Sequence, residues 1–496
     1  MKSEAAYNDL LKRSREVSLI SSTTSLLGWD QETYMPEAGV DYRAEQMGYF
    51  AGLRHRIWTA PEVGDWIKSC EDAGLLNDAE RGPNVRELRR DYDRAVKTPP
   101  DLVEELARVT TMAQQSWQEA RKESKFGKFA PLLDKIIELT RRQADCWGWK
   151  ESRYDALLDY YEPGATSTET AKLLGDLAGK LSALIPIFQK KFEKVPANRL
   201  KGNYAKAEQQ AFNREVATAF GFDFAAGRID ASTHPFCSGV GPKDCRMTTR
   251  YDETDFTDSF FSVLHECGHG LYDQGLNTDH FGTPLGEAVS LGIHETQSRL
   301  WENQVGRSRA FWKHWLPLAG KHFPGLQKIG GDEFWLAINR VEPSFIRVDA
   351  DEATYNLHIV LRFEMEKKLI EGELKTADLP AAWNARFEEL FGLKVPDDAR
   401  GCLQDIHWSG GGFGYFPTYT LGNLNAAQLY RAALKQNAGL QGELDRGAYG
   451  SLRQWLKTNV HQHGRRYLPR ELMQKATGEP TRADYFIDYL KAKFDF

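Results

Sequence analysis

Five consecutive residues carry the clearest chemistry in this chain: His265-Glu266-Cys267-Gly268-His269, an HExxH pattern. On a helix, residues four apart differ by about 40° around the axis, so both imidazoles leave one face. Two neutral imidazoles on a rigid element suit zinc, and a glutamate one position on reaches a water held by the ion. A core helix with two incidental histidines is the plain alternative, since the chain has 12 histidines. The apolar residues just before the motif, Phe260, Phe261, Val263 and Leu264, predict a buried helix under either reading. Glu266 favours the metal, because a purely structural site has no use for a general base.

Zinc normally takes a third protein ligand and leaves a fourth position for water. The extended metzincin pattern needs Gly at 272 and His at 275; the chain has Tyr272 and Gly275, which excludes it. Glu295 lies 26 residues after His269, room for one loop and a return helix. Glu287 competes, but it follows Gly286 near a helix start, where an acid can simply complement the helix dipole. His294 also carries a ligand atom, yet adjacent helical residues diverge by about 100°. His294 and Glu295 therefore cannot easily serve one ion. Spacing favours Glu295 and leaves Glu287 as its rival.

These residues need elements to hold them, and helical periodicity dominates the chain. After Pro99-Pro100 the pattern predicts a helix from Asp101 to Lys122, with Leu102, Leu106, Val109 and Met112 as its buried stripe. Similar spacing recurs in Leu132-Ile136-Leu139 and in Leu173-Leu177-Leu181-Leu184-Ile185, the latter opened by Ser167-Thr168-Glu169 as a capped start. A last helix is expected from Thr481, with Asp484 near its third position and Tyr485, Tyr489 and Leu490 turned inward. From Arg228 to Thr254, turn residues separate short β-prone pieces such as Arg246-Met247-Thr248-Thr249, so a small sheet or irregular loop interrupts the helices. Length alone suits about three domains. Without repeats, low-complexity tracts or linkers, one multi-lobed helical body over residues 1–496 is the better expectation.

Composition narrows the partners. Lys+Arg number 64 against 70 Asp+Glu, a net charge of −6, which argues against nucleic acid. No apolar run approaches the roughly 18 residues of a membrane span. Met1-Lys2-Ser3-Glu4 lacks a signal-peptide pattern, and the six cysteines show neither CxxC spacing nor disulfide density. A reduced cytoplasmic setting is expected.

Several further motifs lie along the chain: His234-Pro235-Phe236, Asp244-Cys245-Arg246-Met247-Thr248, His294-Glu295-Thr296-Gln297, Ile346-Arg347-Val348-Asp349-Ala350-Asp351-Glu352 and Gly401-Cys402-Leu403-Gln404-Asp405-Ile406-His407-Trp408. Trp29-Asp30 with Met35-Pro36 precede them, and Thr477-Gly478 follows. Together with the HExxH, this set resembles the carboxypeptidase Taq family, the thermostable carboxypeptidase 1 group of metallocarboxypeptidases, across essentially the whole chain. The resemblance implies a mainly α, two-lobed helical body with a deep substrate groove, a small β element near the active site, and a homodimer. It implies broad release of C-terminal residues from peptides, with zinc on His265, His269 and Glu295, which decides against Glu287. Thr296 stands where the family often has Ser, a small hydroxyl either way. Cobalt or manganese also suits such donors.

The expected roles follow. Zinc brings the pKa of its water to about 7; Glu266 accepts that proton and passes it to the leaving amine. His407 and the stretch Gly410-Gly411-Gly412-Phe413-Gly414-Tyr415-Phe416-Pro417-Thr418-Tyr419 offer an imidazole and two phenols to the oxyanion. This stretch is similar to the Gly- and Tyr-rich segment of related helical oligopeptidases. Tyr419 is favoured over Tyr415 by its offset from His407, although core packing is the rival role for all three. No Gly-Lys-Ser/Thr follows the glycines, so a phosphate loop is excluded. A free carboxylate calls for a guanidinium: Arg347 first, Arg246 second. A structural salt bridge, for Arg347 to Asp349, Asp351 or Glu352, is the alternative. His234, held extended by Pro235, is expected to line the S1′ side. Asp405, His358 and Tyr355 are candidates to orient these groups, and Cys245 and Cys267 read as small buried residues. Two other functions compete: an endo-acting oligopeptidase on the same scaffold, and a non-catalytic helical peptide-binding protein with a structural metal.

Overall fold

The structure is a computed structural model that describes residues 2–495 apart from Lys194 and Ala197. It is mainly α-helical, and the sheet among the described residues has three strands. The chain divides into two compact units, each assembled from three separate stretches. The first takes Met1–Ala95, Pro196–Ile338 and Asn425–Thr481; the second takes Val96–Val195, Asn339–Leu424 and Arg482–Phe496.

In the first unit the HExxH motif lies in the helix Phe256–Gly275, which starts where the Asp255 side chain accepts the Thr257 N–H. Its apolar run is buried: Phe256, Phe260, Val263, Leu264, Cys267 and Leu271 are each at most 3% exposed. They pack with Phe212, Phe311, Trp312 and Phe323 in one aromatic-rich core, each large side chain contributing about 1.5–3 kcal/mol. A smaller core gathers Leu10, Val63, Ile67, Cys70 and Val85. The interruption expected from Arg228 to Thr254 is a sheet: β1 Gly227–Ala231, β2 Cys237–Gly241 and β3 Asp244–Thr249, in the order β1-β3-β2. β3 pairs parallel with β1 and antiparallel with β2, which sets Cys245 opposite Gly239 and Met247 opposite Cys237.

In the second unit the helix Pro100–Glu123 buries Leu102, Val109, Ala113, Trp117 and Ala120. Met112, expected inside, is 42% exposed. The four-residue step from Val109 lands on Ala113, and a shift of one position rotates a side chain by about 100°. The helix Ser167–Phe192 is capped one residue earlier than expected, by Thr166, whose hydroxyl accepts the Glu169 N–H. The last helix is Ala483–Lys493, two residues later than expected. It buries Phe486, Ile487 and Leu490, while Tyr485 and Tyr489 are half-buried. Thr481 instead donates its hydroxyl to Asn425 Oδ1 at 2.6 Å. Among the described residues no helix is long and apolar enough to cross a membrane.

Candidate metal centre and a second polar cluster

His265 and His269 present their Nε2 atoms 3.7 and 3.5 Å from Oε2 of Glu295. Glu295 is carried by the helix Leu291–Arg299, which Ser290 caps by accepting the Ile293 N–H. Two donors held about 2.0–2.2 Å from one tetrahedral ion lie about 3.3–3.6 Å apart, so one spacing falls within that range and the other exceeds it by 0.1 Å, close to what a shared ion needs. The outer atoms of all three groups are already engaged. His265 Nδ1 meets Glu302 at 2.9 Å, His269 Nδ1 meets His294 Nδ1 at 2.6 Å, and Glu295 Oε1 accepts from Arg299 Nε at 2.8 Å. The inward atoms, Nε2 of both histidines and Oε2 of Glu295, thus face one another while their outer atoms are held from outside, the arrangement metal ligands take. The three residues form a cluster able to bind a divalent metal.

Electrostatics agree with that reading. Burial brings the His269 imidazole down to about 4, leaving it neutral at pH 7 with a lone pair to give. Burial also works to lower His265, but Glu295 and Glu302 reverse it and hold it above the usual value. Burial works to raise the Glu295 carboxyl, and His265 and Arg299 beside it hold it well below the usual range. Glu266, 6% exposed, is pushed up to about 7 by burial, with Glu295 and Glu302 adding to the effect.

Gly268 makes this geometry attainable. A Cβ there would lie 2.5 Å from both the Gln297 carbonyl oxygen and the Ser298 Cα, so the two ligand-bearing helices meet through a missing side chain. Backbone cannot yield as a flexible side chain can. Gly268→Ala is expected to spread the helices, cost about 1–3 kcal/mol and weaken metal binding. Thermal unfolding and a metal titration check this; wild-type values in both would refute it.

The rival ligands are used elsewhere. Glu287 pairs with Arg465 at 3.1 Å. His294 faces away from the ion position, its Nε2 held by Asp273 Oδ1 at 3.1 Å. Arg246 grips Asp244 through Nε and Nη2, both at 2.8 Å, and lies over the Trp29 ring at 4.3 Å. His234 is exposed on the loop between β1 and β2, not among the converging donors. Cys245 and Cys267 are buried, as expected.

The second unit gathers the other expected residues. Arg347 is buried and donates Nε and Nη2 to Asp405 Oδ1, at 3.0 and 2.8 Å, and Nη1 to the Tyr355 hydroxyl at 2.8 Å. Its partner is thus Asp405, in place of the nearby Asp349, Asp351 or Glu352. The Tyr419 ring lies 5.1 Å from the guanidinium carbon. The Tyr419 hydroxyl is 3.5 Å from His407 Nε2, and Tyr415 packs beside both rings. His407 Nδ1 is buried without a partner, and burial brings the imidazole down to about 4. The His358 ring packs at a tilt against Phe391, and its carbonyl accepts from Arg362 Nη1 at 2.8 Å.

Glu366 fastens the Gly-rich turn, accepting from Tyr154, Trp408 and the Gly414 N–H. Gly414 has φ +85°, and a Cβ there would meet the Leu157 backbone at 2.7 Å. Glu302, Arg299, Asp273, Arg362 and Glu366 escaped the sequence reading. Helical spacing does mark some of them: Asp273 is four residues after His269, and Arg299 and Glu302 are four and seven after Glu295.

Comparison with known proteins bears on the whole chain. The family model for carboxypeptidase Taq (M32) metallopeptidases matches residues 9–494. Thermostable carboxypeptidase 1 of Thermus thermophilus is 41% identical over 508 aligned positions, covering 100% of this chain and 99% of the relative. Carboxypeptidase 1 of Bacillus subtilis is 36% identical, covering 99% and 98%. The crystal structure of the M32 carboxypeptidase from Deinococcus radiodurans R1 superposes with a TM-score of 0.94 at 37% identity, covering 99% of both chains. With its converging His265, His269 and Glu295, the chain belongs to the carboxypeptidase Taq (M32) metallopeptidase family and is a metallocarboxypeptidase, a peptide hydrolase.

Proposed function

We propose that the protein is a zinc-dependent carboxypeptidase of broad specificity, with Glu266 as general base. The observation that carries this is a buried carboxyl, Glu266, next in sequence to one of three converging metal donors. His265, His269 and Glu295 hold the ion, and zinc there supplies Lewis acidity toward a water and the scissile carbonyl; cobalt or manganese can stand in for it. Glu302, His294 and Arg299 keep those ligands in orientation. Glu266 takes the proton of the attacking water as the C–O bond forms. It returns that proton to the amine nitrogen as the C–N bond breaks. His407, Tyr419 and secondarily Tyr415 donate to the carbonyl oxygen as negative charge develops there.

The substrates are peptides with a free C-terminal carboxylate. Arg347 is the preferred anchor: three of its five N–H groups are engaged by Asp405 and Tyr355, which orient the fork and leave two to bind a carboxylate. Arg246 is the second choice, and His234 lines the S1′ side. In this reading residues 1–496 act as one multi-lobed catalytic domain, in a cytoplasmic homodimer.

Comparing a peptide acid with its C-terminal amide tests the exopeptidase reading against an endo-acting oligopeptidase. A charge-assisted pair is worth about 1.5–3 kcal/mol, so kcat/KM is expected to fall about 10- to 100-fold on amidation. Equal hydrolysis of both peptides favours the oligopeptidase.

A further inference from the structure

We propose that Cys237, Cys245 and Asp273 form a second cation site, one that takes a thiophilic divalent ion such as zinc or cadmium. The register of β2 and β3 sets Cys245 opposite Gly239 and Cys237 opposite Met247, so the two cysteines are diagonal neighbours on one face of the sheet. Their Sγ atoms are 3.5 Å apart and unbonded. Two thiolates at about 2.3 Å from one tetrahedral ion would sit about 3.8 Å apart.

The third donor comes from another element. Asp273 is in the last turn of the helix Phe256–Gly275, and a carboxylate oxygen of it and both sulfurs all lie within 4.8 Å of one another. Gly239 permits this approach, since a Cβ there would lie 2.7 Å from Asp273 Oδ2. The other oxygen, Oδ1, is held by His294 Nε2 at 3.1 Å, so Oδ2 is the atom turned toward the sheet. Cys245 is buried, while Cys237 is only partly so, which leaves an approach from its side.

Two sulfurs with one carboxylate oxygen select a soft or borderline ion over magnesium or calcium. Three protein donors leave the fourth position to water. The Cys245 thiol and burial push the Cys237 thiol well above its usual value. Binding therefore displaces two thiol protons to solvent, and affinity falls as the pH falls. The two sites share no donor, and their signals are separable, because only sulfur gives a thiolate-to-metal absorption.

The test adds cadmium to the full-length protein, reduced with a phosphine and preloaded with one equivalent of zinc. The wild type is expected to develop a thiolate-to-cadmium charge-transfer band that saturates at one further equivalent. Cys237→Ser and Cys245→Ser are expected to lose that band while keeping the wild-type circular dichroism. Cys237→Ala serves as the second variant should either serine substitution disturb folding. Glu295→Gln, crippled only in the other cluster, is expected to keep the band. Absence of the band in the wild type, or its survival in the Cys237 variants, overturns the proposal.

Discussion

Glu266→Gln is expected to lower kcat by about 10²- to 10⁴-fold while leaving fold and metal content unchanged. Glutamine has the same shape, so the packing of this buried position survives. What disappears is the capacity to accept a proton. The metal donors belong to His265, His269 and Glu295, each oriented by a partner other than Glu266, so metal affinity should hold. Stability should also hold or rise slightly, because burial and the nearby Glu295 and Glu302 carboxylates already disfavour charge on Glu266. KM should move little, since the proton is transferred in the transition state and not in substrate binding. Steady-state kinetics with metal analysis on the same sample decides the matter. Undiminished kcat removes Glu266 as the base, and a loss that tracks missing metal reassigns it to holding the ion.

The parts of this architecture that are legible in the sequence are those with short-range causes. The HExxH helix announces itself by an apolar run and a four-residue histidine spacing. The sheet from Gly227 to Thr249 announces itself by turn residues between β-prone pieces. Glu295 is favoured by spacing, since 26 residues suit one loop and a return helix, but Glu287 stays its rival until the family resemblance decides between them. Its supporting contacts are harder. Glu302 reaches His265 from a π-helical turn, Leu300–Val305, and local propensity does not signal that register change.

Arg347 shows the limit more sharply. Its near neighbours look like partners, but Asp351 is spent on the Ala353 and Thr354 N–H groups, and Glu352 pairs with Lys493. The true partner, Asp405, lies 58 residues on, and only tertiary packing selects it. The two units are likewise silent, because no Pro/Gly/Ser-rich linker marks the points where the chain passes from one to the other.

That long-range choice makes Asp405→Ala the most destabilising substitution we expect. Asp405 lies between two buried guanidiniums, accepting from Arg347 through Oδ1 and from Arg362 Nε through Oδ2 at 2.7 Å. Removing it leaves two buried guanidiniums with no carboxylate between them, their remaining contacts being the Tyr355 hydroxyl for Arg347, the His358 carbonyl and Gln404 Oε1 for Arg362, and neighbouring aromatic rings. Breaking a buried pair from one side costs about 3–5 kcal/mol, a large share of the roughly 5–15 kcal/mol that stabilises a folded chain. The exposed Lys68–Asp72 pair, 70% and 65% exposed, is the control; Asp72→Ala should cost under about 1 kcal/mol.

The pH dependence carries the diagnosis. Burial works to raise the Asp405 carboxyl, but Arg362 and Arg347 hold it far below its unfolded value. A depressed carboxyl adds stability that is fully present above its unfolded pKa, about 3.9, and is lost as the pH falls. Denaturant unfolding should therefore show a gap between the wild type and Asp405→Asn that is flat above about pH 5 and narrows in acid. With the Asp405 carboxylate gone, Arg347 also loses its fixed orientation, so KM for peptide acids should rise more than kcat falls. A gap that widens in acid, or a cost for Asp405→Ala no larger than that of Asp72→Ala, would show that charge pairing does not hold this part of the second unit.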